Sequence, residues 1–338
     1  MPAYLDHAAT TPLRPEALEA MLPFLGGTFG NPSSPHREGR AARAALDRAH
    51  EQIAAGIHAA PREIVITSGG TEALNLALKG AAWAGKARGH RILTSAVEHH
   101  AVLHPLKHLE KFGFEVLELP VDRYGRVDPD HVEAALTERT ILVAIQHANN
   151  EVGTVQPVAA IGDLIRSKGP KDCLFAVDAV ASAGCLPIDV EAMRCHLLAI
   201  AGHKLDGPKG AGALYIKRGV HILAQQQGGT QERHRRAGTE DVAAETDGGA
   251  VVIKLDLAGI SASVGSACTT GSTEPSHVLT AMGYPEEEAR GALRFSLGRT
   301  TTEAEIDQAA AVVPSVLASM RVGAAAVAAD PLGQGVPA

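Results

Sequence analysis

The sequence predicts an α/β fold, a mostly parallel sheet flanked by helices with a smaller α+β domain beside it, and three observations carry that prediction. Short apolar runs alternate with segments of helical period along most of the chain, the pattern of strands joined by crossover helices. Two of these runs, residues 173–177 and 197–201, are apolar throughout, as strands buried on both faces are. Each ends on charge, Asp178 after the first and His203 with Lys204 after the second, and the carboxyl ends of parallel strands are where such sheets hold ligands.

Taken in order, residues 4–6 read as an extended arm that turns over 8–12, and 15–24 as a helix with proline in its first turn. The TFGNPSSPH stretch at 28–36 is too rich in Gly, Pro, Asn and Ser for regular structure, which makes Asn31 a turn residue on its own terms. Residues 37–58 place Ala41, Ala45, Ala49, Ile53 and Ile57 on one helical face. A strand at 63–67 then runs through Ser68, Gly69, Gly70, Thr71 and Glu72 into a helix at 73–80. Unpaired N–H groups and the helix dipole suit an anion at such a turn. Plain N-capping by Ser68 or Thr71 accounts for the same residues.

Alternation continues with a strand at 91–95, a helix at 99–112, a strand at 115–119, a helix at 129–136 and a strand at 141–147. His99 falls at a strand-to-helix junction, and Asn149 and Asn150 close the last of these strands, where paired amides make Asx turns or meet a ligand oxygen. Gly207, Gly210 and Gly212 turn the chain after Lys204. Residues 228–240 combine glycines with Arg233, Arg235 and Arg236, a composition that suits a phosphate clamp, including one reaching into a neighbouring subunit. Cys268 lies among small residues at 264–272, an exposed setting that suits a mobile nucleophile. A strand at 293–297 carries Arg294, a last helix covers 303–320, and the Ala/Gly/Pro-rich tail reads as disordered. The domain division is an arm at 1–14, a large domain at 15–245, a reduced small domain at 246–321 and a tail at 322–338.

At 338 residues, 45% hydrophobic and 20% charged, the chain is a soluble globular protein by composition. Aromatics at 3% and a net charge of −7 argue against a basic or base-stacking nucleic-acid surface. No apolar run spans a bilayer and the N-terminus lacks an export signal, so a cytoplasmic setting is expected. Cys173, Cys185, Cys195 and Cys268 show no paired spacing, which agrees with reduced thiols. The 16 histidines lack metal-ligand spacing, and no metal is expected.

Ten segments, YLDHAATTP, GNPSS, TSGGTEALN, EHHAVL, ANNEVGTVQP, VDAV, GHKLDGPKGAGALYI, GGTQERHRRAGTE, GSACTTGSTEPSHVL and RFSLGRTTTE, stand in an order that resembles the cysteine desulfurases of the NifS/IscS type. These are class-V aminotransferases, fold-type I enzymes dependent on pyridoxal 5'-phosphate (PLP), with a seven-stranded type of sheet. The resemblance implies that Lys204 bonds the coenzyme aldehyde, that Asp178 pairs with its ring nitrogen and that His99 stacks on the ring and aids proton transfer. It sets Gly70, Thr71, Glu72, His203 and, across a homodimer interface, Thr239 at the phosphate, with Asn150 near the phenolic oxygen. Arg294, helped by Asn31, would grip the carboxylate of the L-cysteine substrate. Cys268 would take its sulfur as a persulfide, for an iron–sulfur scaffold or a tRNA-thiolation protein. A lyase or aminotransferase of the same group, or a non-catalytic binding partner, is the alternative.

Four departures mark this chain. Ala181 stands where the family usually has a glutamine, Ala201 where it has a serine at the phosphate, and Asp206 where an aromatic residue is common, adding negative charge near the phosphate. Only 28 residues separate Thr239 from Cys268, where relatives hold a long helix and strands. The shortened small domain is expected to leave apolar surface exposed.

Overall fold

The computed structural model describes residues 3–27, 29–229, 231–237, 260–264 and 275–329. Its core is a seven-stranded sheet. The strands are β2 (Ile64–Thr67), β3 (Arg91–Ser95), β4 (Glu115–Leu119), β5 (Thr140–Gln146), β6 (Leu174–Asp178), β7 (Leu197–Ala201) and β8 (Gly212–Ile216), in the order β2-β8-β7-β6-β5-β3-β4. Every strand runs parallel except β8, which is antiparallel to both neighbours. The expected mostly parallel sheet is thus present, with one reversed strand that a tight Gly-Pro turn after β7 permits.

Alternate side chains of each strand enter two apolar layers. One layer joins Leu93, Val143, Phe175, Leu198 and Tyr215 to α5 (Pro129–Ala135) and α6 (Val158–Lys168) through Val132, Ile161 and Ile165. The other joins Ile92, Leu142, Ala176, Leu197 and Leu214 to α3 (Gly70–Gly85) and α4 (His100–Glu110) through Leu74, Leu78, Val102 and Leu106. Burial on both faces explains why these strands read as unbroken apolar runs. Ahead of them lie β1 (Ala3–Tyr4), α1 (Pro15–Met21), which ends in a 3-10 turn at Leu22–Leu25, and α2 (Arg37–Gly56).

A second, small cluster of Leu5, Ala262 and Ala309 sits under α9 (Glu303–Ala329). Here β1 pairs parallel with β9 (Ile260–Ser261), and β10 (Ser263–Val264) pairs antiparallel with β11 (Leu293–Arg294). Between them α7 (His277–Ala281) is capped by Ser276, which accepts the Leu279 N–H, and α8 (Glu286–Arg290) follows. Phe295, Leu297 and Ile306 are exposed in this region among the described residues.

Several boundaries differ from expectation. The strand expected at 293–297 keeps ladder pairing only over Leu293–Arg294, with a single further bridge from Ser296 to Asp6. The last helix continues to Ala329, so residues 322–329 of the expected disordered tail are helical, and alanine, the residue with the highest helix propensity, dominates them. Residues 330–338 lie outside the described residues. No helix among the described residues is long and apolar enough to cross a membrane.

Candidate functional site

Three strand ends meet at one place. Asp178 is the last residue of β6, and Lys204 closes the 3-10 turn Gly202–Lys204 that follows β7, the adjacent strand. The Asp178 carboxylate is 7% exposed and accepts the Val180 N–H at 2.9 Å. Burial pushes it up to about 6, against the opposing pull of that amide and of the Lys204 ammonium. His99 caps α4 by accepting the Ala101 N–H on Nδ1 at 3.0 Å. Burial first, then the Lys204 ammonium, brings His99 down to about 4, so its ring is neutral at pH 7. With Nδ1 an acceptor, the proton of the neutral ring is assigned to Nε2.

The arm closes over the lysine: Lys204 Nζ donates to the carbonyl of Ala8. Thr11 donates both its N–H and its hydroxyl to the carbonyl of His203, at 2.9 and 3.0 Å. The ring of His203 meets the Thr10 hydroxyl at 3.2 Å, and burial together with Lys204 brings His203 down to about 4. Asp206, two residues on, is clasped by Arg14 at 3.1 Å and Arg299 at 3.2 Å. Its charge is therefore matched by two guanidinium groups.

At the start of α3 the turn through Gly69 leaves the first N–H groups without a side-chain cap. Neither Ser68 nor Thr71 caps the helix: Ser68 donates its N–H and hydroxyl to Glu72 Oε2 at 2.7 and 2.6 Å, and Thr71 is exposed. Backbones crowd together here, since a Cβ on Gly70 would stand 2.6 Å from Val180 Cγ2 and one on Gly212 would stand 2.6 Å from Gly69 Cα. The Ala201 methyl faces the same helix start, 3.5 Å from that Gly70 position. From Thr71 an open cleft of about 480 Å³ runs between α3 and α4, lined by Asn75, Lys79, His99, His100 and His104.

Other expected residues are placed differently. Glu72 turns its carboxylate away from the helix start, to Ser68 and to Arg236, whose Nη2 is 3.3 Å away. Arg233 and Arg235 donate to the carbonyls of Ile64 and Arg62. All three guanidinium groups thus hold partners within their own chain. Arg294 is 8% exposed, pairs with Asp6 at 3.0 Å and donates to the Asn150 carbonyl at 2.8 Å, while its Nε has no hydrogen-bond partner among the described residues. Asn31 is exposed and accepts the Ser33 N–H at 2.8 Å, an Asx turn, and no bond brings it to Arg294 among the described residues. Ala181 is half-buried just beyond β6. Cys268 and Thr239 lie outside the described residues.

Two residues that the sequence reading passed over belong to this site. Asp6 pairs with Arg294, and Glu98, wholly buried directly before His99, is held by Ser95 and Gln146. A glutamate beside a buried strand end was the legible signal for the second; the first spans nearly the whole chain and had none.

An amine, a buried carboxylate one strand away, a neutral imidazole and an uncapped helix start fit PLP, whose aldehyde, ring nitrogen, ring face and phosphate need those four kinds of partner. The comparisons agree. The aminotransferase class-V family model matches residues 3–249. The cysteine desulfurase IscS of Dictyoglomus turgidum is 41% identical over 94% of this chain and 95% of its own. That alignment covers 377 positions against 338 residues here, so the relative holds positions that this chain lacks. A solved NifS-like protein, 31% identical, superposes with a TM-score of 0.86 over 94% of this chain and all (100%) of its own. A structure of SspA in complex with cysteine, 34% identical, superposes with a TM-score of 0.74 over 87% of this chain and 98% of its own. On a family model that covers most of its length and relatives that cover nearly all of it, the chain belongs to the class-V aminotransferases, among the cysteine desulfurases.

Proposed function

We propose that the protein is a PLP-dependent cysteine desulfurase that converts L-cysteine to L-alanine and hands the sulfur to an acceptor protein. The observation that carries this reading is the amine of Lys204 set one strand away from the buried carboxylate of Asp178. The coenzyme, when bound, supplies an electron sink for the carbanion at the substrate Cα. The chain's own residues do the rest. Lys204 would hold the coenzyme at its aldehyde, and its amine would serve as the base that moves the substrate Cα proton. Asp178 as a carboxylate keeps the ring nitrogen protonated, and the neutral His99 can lie against a cationic ring without repulsion. N–H groups at Gly70 and Thr71, with His203 beside them, receive the phosphate. Asn150 is the amide for the phenolic oxygen.

Arg294 binds the substrate carboxylate after exchanging it for Asp6, with Asn31 arriving from its loop. The Cys268 thiolate attacks the substrate sulfur, so that one C–S bond breaks and one S–S bond forms, leaving a persulfide on the enzyme. The structure of SspA with cysteine supports this substrate. The acceptor is an iron–sulfur scaffold or a tRNA-thiolation protein. A homodimer that brings Thr239 to the partner's phosphate belongs to the same reading, as does the division into a large domain ending near 245 and a small one ending near 321. A cytoplasmic setting accords with free thiols at Cys173, Cys185 and Cys195.

The test is spectroscopic. Purified protein with PLP should show a visible absorption band that borohydride removes by fixing the coenzyme to Lys204, and with L-cysteine it should release alanine and carry a persulfide on Cys268. Lys204→Ala should lose the band and the activity together. A wild-type protein that stays colourless at saturating coenzyme would refute the assignment.

A further inference from the structure

We propose that Glu98 is held as a neutral carboxylic acid that positions His99 and leaves Asp178 as the ionised carboxyl group of the two. This rests on the desulfurase reading for its purpose, though not for its chemistry. Glu98 is 0% exposed and lies on the link between β3 and α4, directly before His99. Its Oε1 accepts the Ser95 hydroxyl at 2.6 Å and the Gln146 N–H at 3.0 Å. Its Oε2 has no hydrogen-bond partner among the described residues. An ionised carboxylate enclosed in this way would have two neutral donors on one oxygen and nothing on the other, a poor substitute for water.

The charged neighbours make ionisation harder still. Gln146 and Asp178 are partners in the register of β5 and β6, so the two carboxyl groups approach the same strand ends. A charged carboxylate near a buried carboxyl group favours the protonated form of that group. His277 of α7 reaches the backbone carbonyl of Glu98 at 2.9 Å rather than its carboxyl, and Lys204, beyond His99, faces Asp178. Burial, with Asp178 adding to it, lifts Glu98 to about 8.

The same residue is a rivet. Besides the Gln146 N–H held by Glu98, the Val97 carbonyl accepts the side-chain amides of Gln146 and Asn149 at 2.8 and 2.9 Å. Residues 97 and 98 are thereby tied to the end of β5, and His99, next along the chain, inherits its position from them. A neutral acid does this without placing a second negative charge against Asp178.

Glu98→Gln keeps an acceptor oxygen and a neutral group of the same shape, so it isolates the proton from the packing. In coenzyme-free wild type at pH 7, infrared difference spectra should show the C=O stretch of a protonated carboxyl group, shifted by deuterium and lost as the pH rises through about 8. E98Q should lack the band and Asp178→Asn should keep it. A folded-state pKa above the unfolded value of 4.5 means stability is lost as pH rises towards about 8, so the melting temperature of E98Q should exceed that of wild type by a margin that widens over this range. Glu98→Ala should weaken PLP binding by about tenfold or more through the misplaced His99, and E98Q should recover most of that loss. A wild type without the band, or an E98Q that retains it, overturns the proposal. A wild type that shows the band but takes up no PLP would instead sink the desulfurase reading and leave the neutral acid standing.

Discussion

Ala201 turns a methyl toward the first residues of α3, where the resemblance to cysteine desulfurases implies a serine hydroxyl at the phosphate. A hydrogen bond to a charged group contributes about 1.5–3 kcal/mol net. Restoring the hydroxyl with Ala201→Ser should therefore tighten PLP binding by about tenfold or more. The dissociation constant, measured by equilibrium dialysis, checks this; an unchanged value would mean that the phosphate is not held at the helix start. Ala181, half-buried just beyond β6, is the parallel case, where the resemblance implies a glutamine. Asp206 is different in kind. Its departure from the family is compensated within the chain, because Arg14 and Arg299 both reach it.

That clasp joins three elements: the segment before α1, the turn after β7 and the loop before α9. Burial tends to raise the Asp206 carboxyl, but the hydrogen bonds from Arg14 and Arg299 prevail and hold it below its usual range. Both arginines are exposed, so the pairs are worth about 1 kcal/mol at most and are screened by salt. Asp206→Asn should lower the melting temperature slightly in low salt, and the difference should vanish in high salt. An undiminished difference would point to the backbone instead, because residue 206 has φ +57°.

Elements with a local signature were legible. Strand β7 matches its predicted bounds and β6 is shifted by one residue at each end, starting at Leu174 and taking Asp178 into the ladder. The helix α6 carries Val158, Ile161 and Ile165 at helical spacing and could have been read. Strand β8 could not, since four apolar residues behind a glycine turn give no sign of reversed direction. In the site, Asp178, His99, His203 and Lys204 announce themselves as polar groups at strand ends. The Ala8 carbonyl on Lys204 and the carboxylate of Asp6 on Arg294 join residues from opposite ends of the chain, which no spacing rule reaches.

Across the whole molecule, opposite shifts converge on the strand ends, and they set how the protein answers to pH. His99 and His203 sit near 4, below the ordinary 6.5 of histidine, so the fold loses stability as pH falls from 6.5 towards 4 and the unfolded chain takes protons that the folded one refuses. Asp178 is shifted the other way, up to about 6 from 3.8, and in the coenzyme-free protein its stabilising effect is fully present below 3.8 and lost as pH rises to about 6. A cationic ring nitrogen needs the ionised carboxylate. Binding below pH 6 must therefore expel a proton from Asp178, and affinity for PLP should rise about tenfold per pH unit up to that point and flatten above it. Asp178→Asn should bind more weakly at neutral pH and show no such rise, because an amide has no proton to lose. Titrating PLP into wild type and variant between pH 5 and 8 distinguishes the outcomes, with 8 also the point near which Glu98 ionises. A wild-type curve as flat as that of the variant would show that the coenzyme ring is not held by this carboxylate.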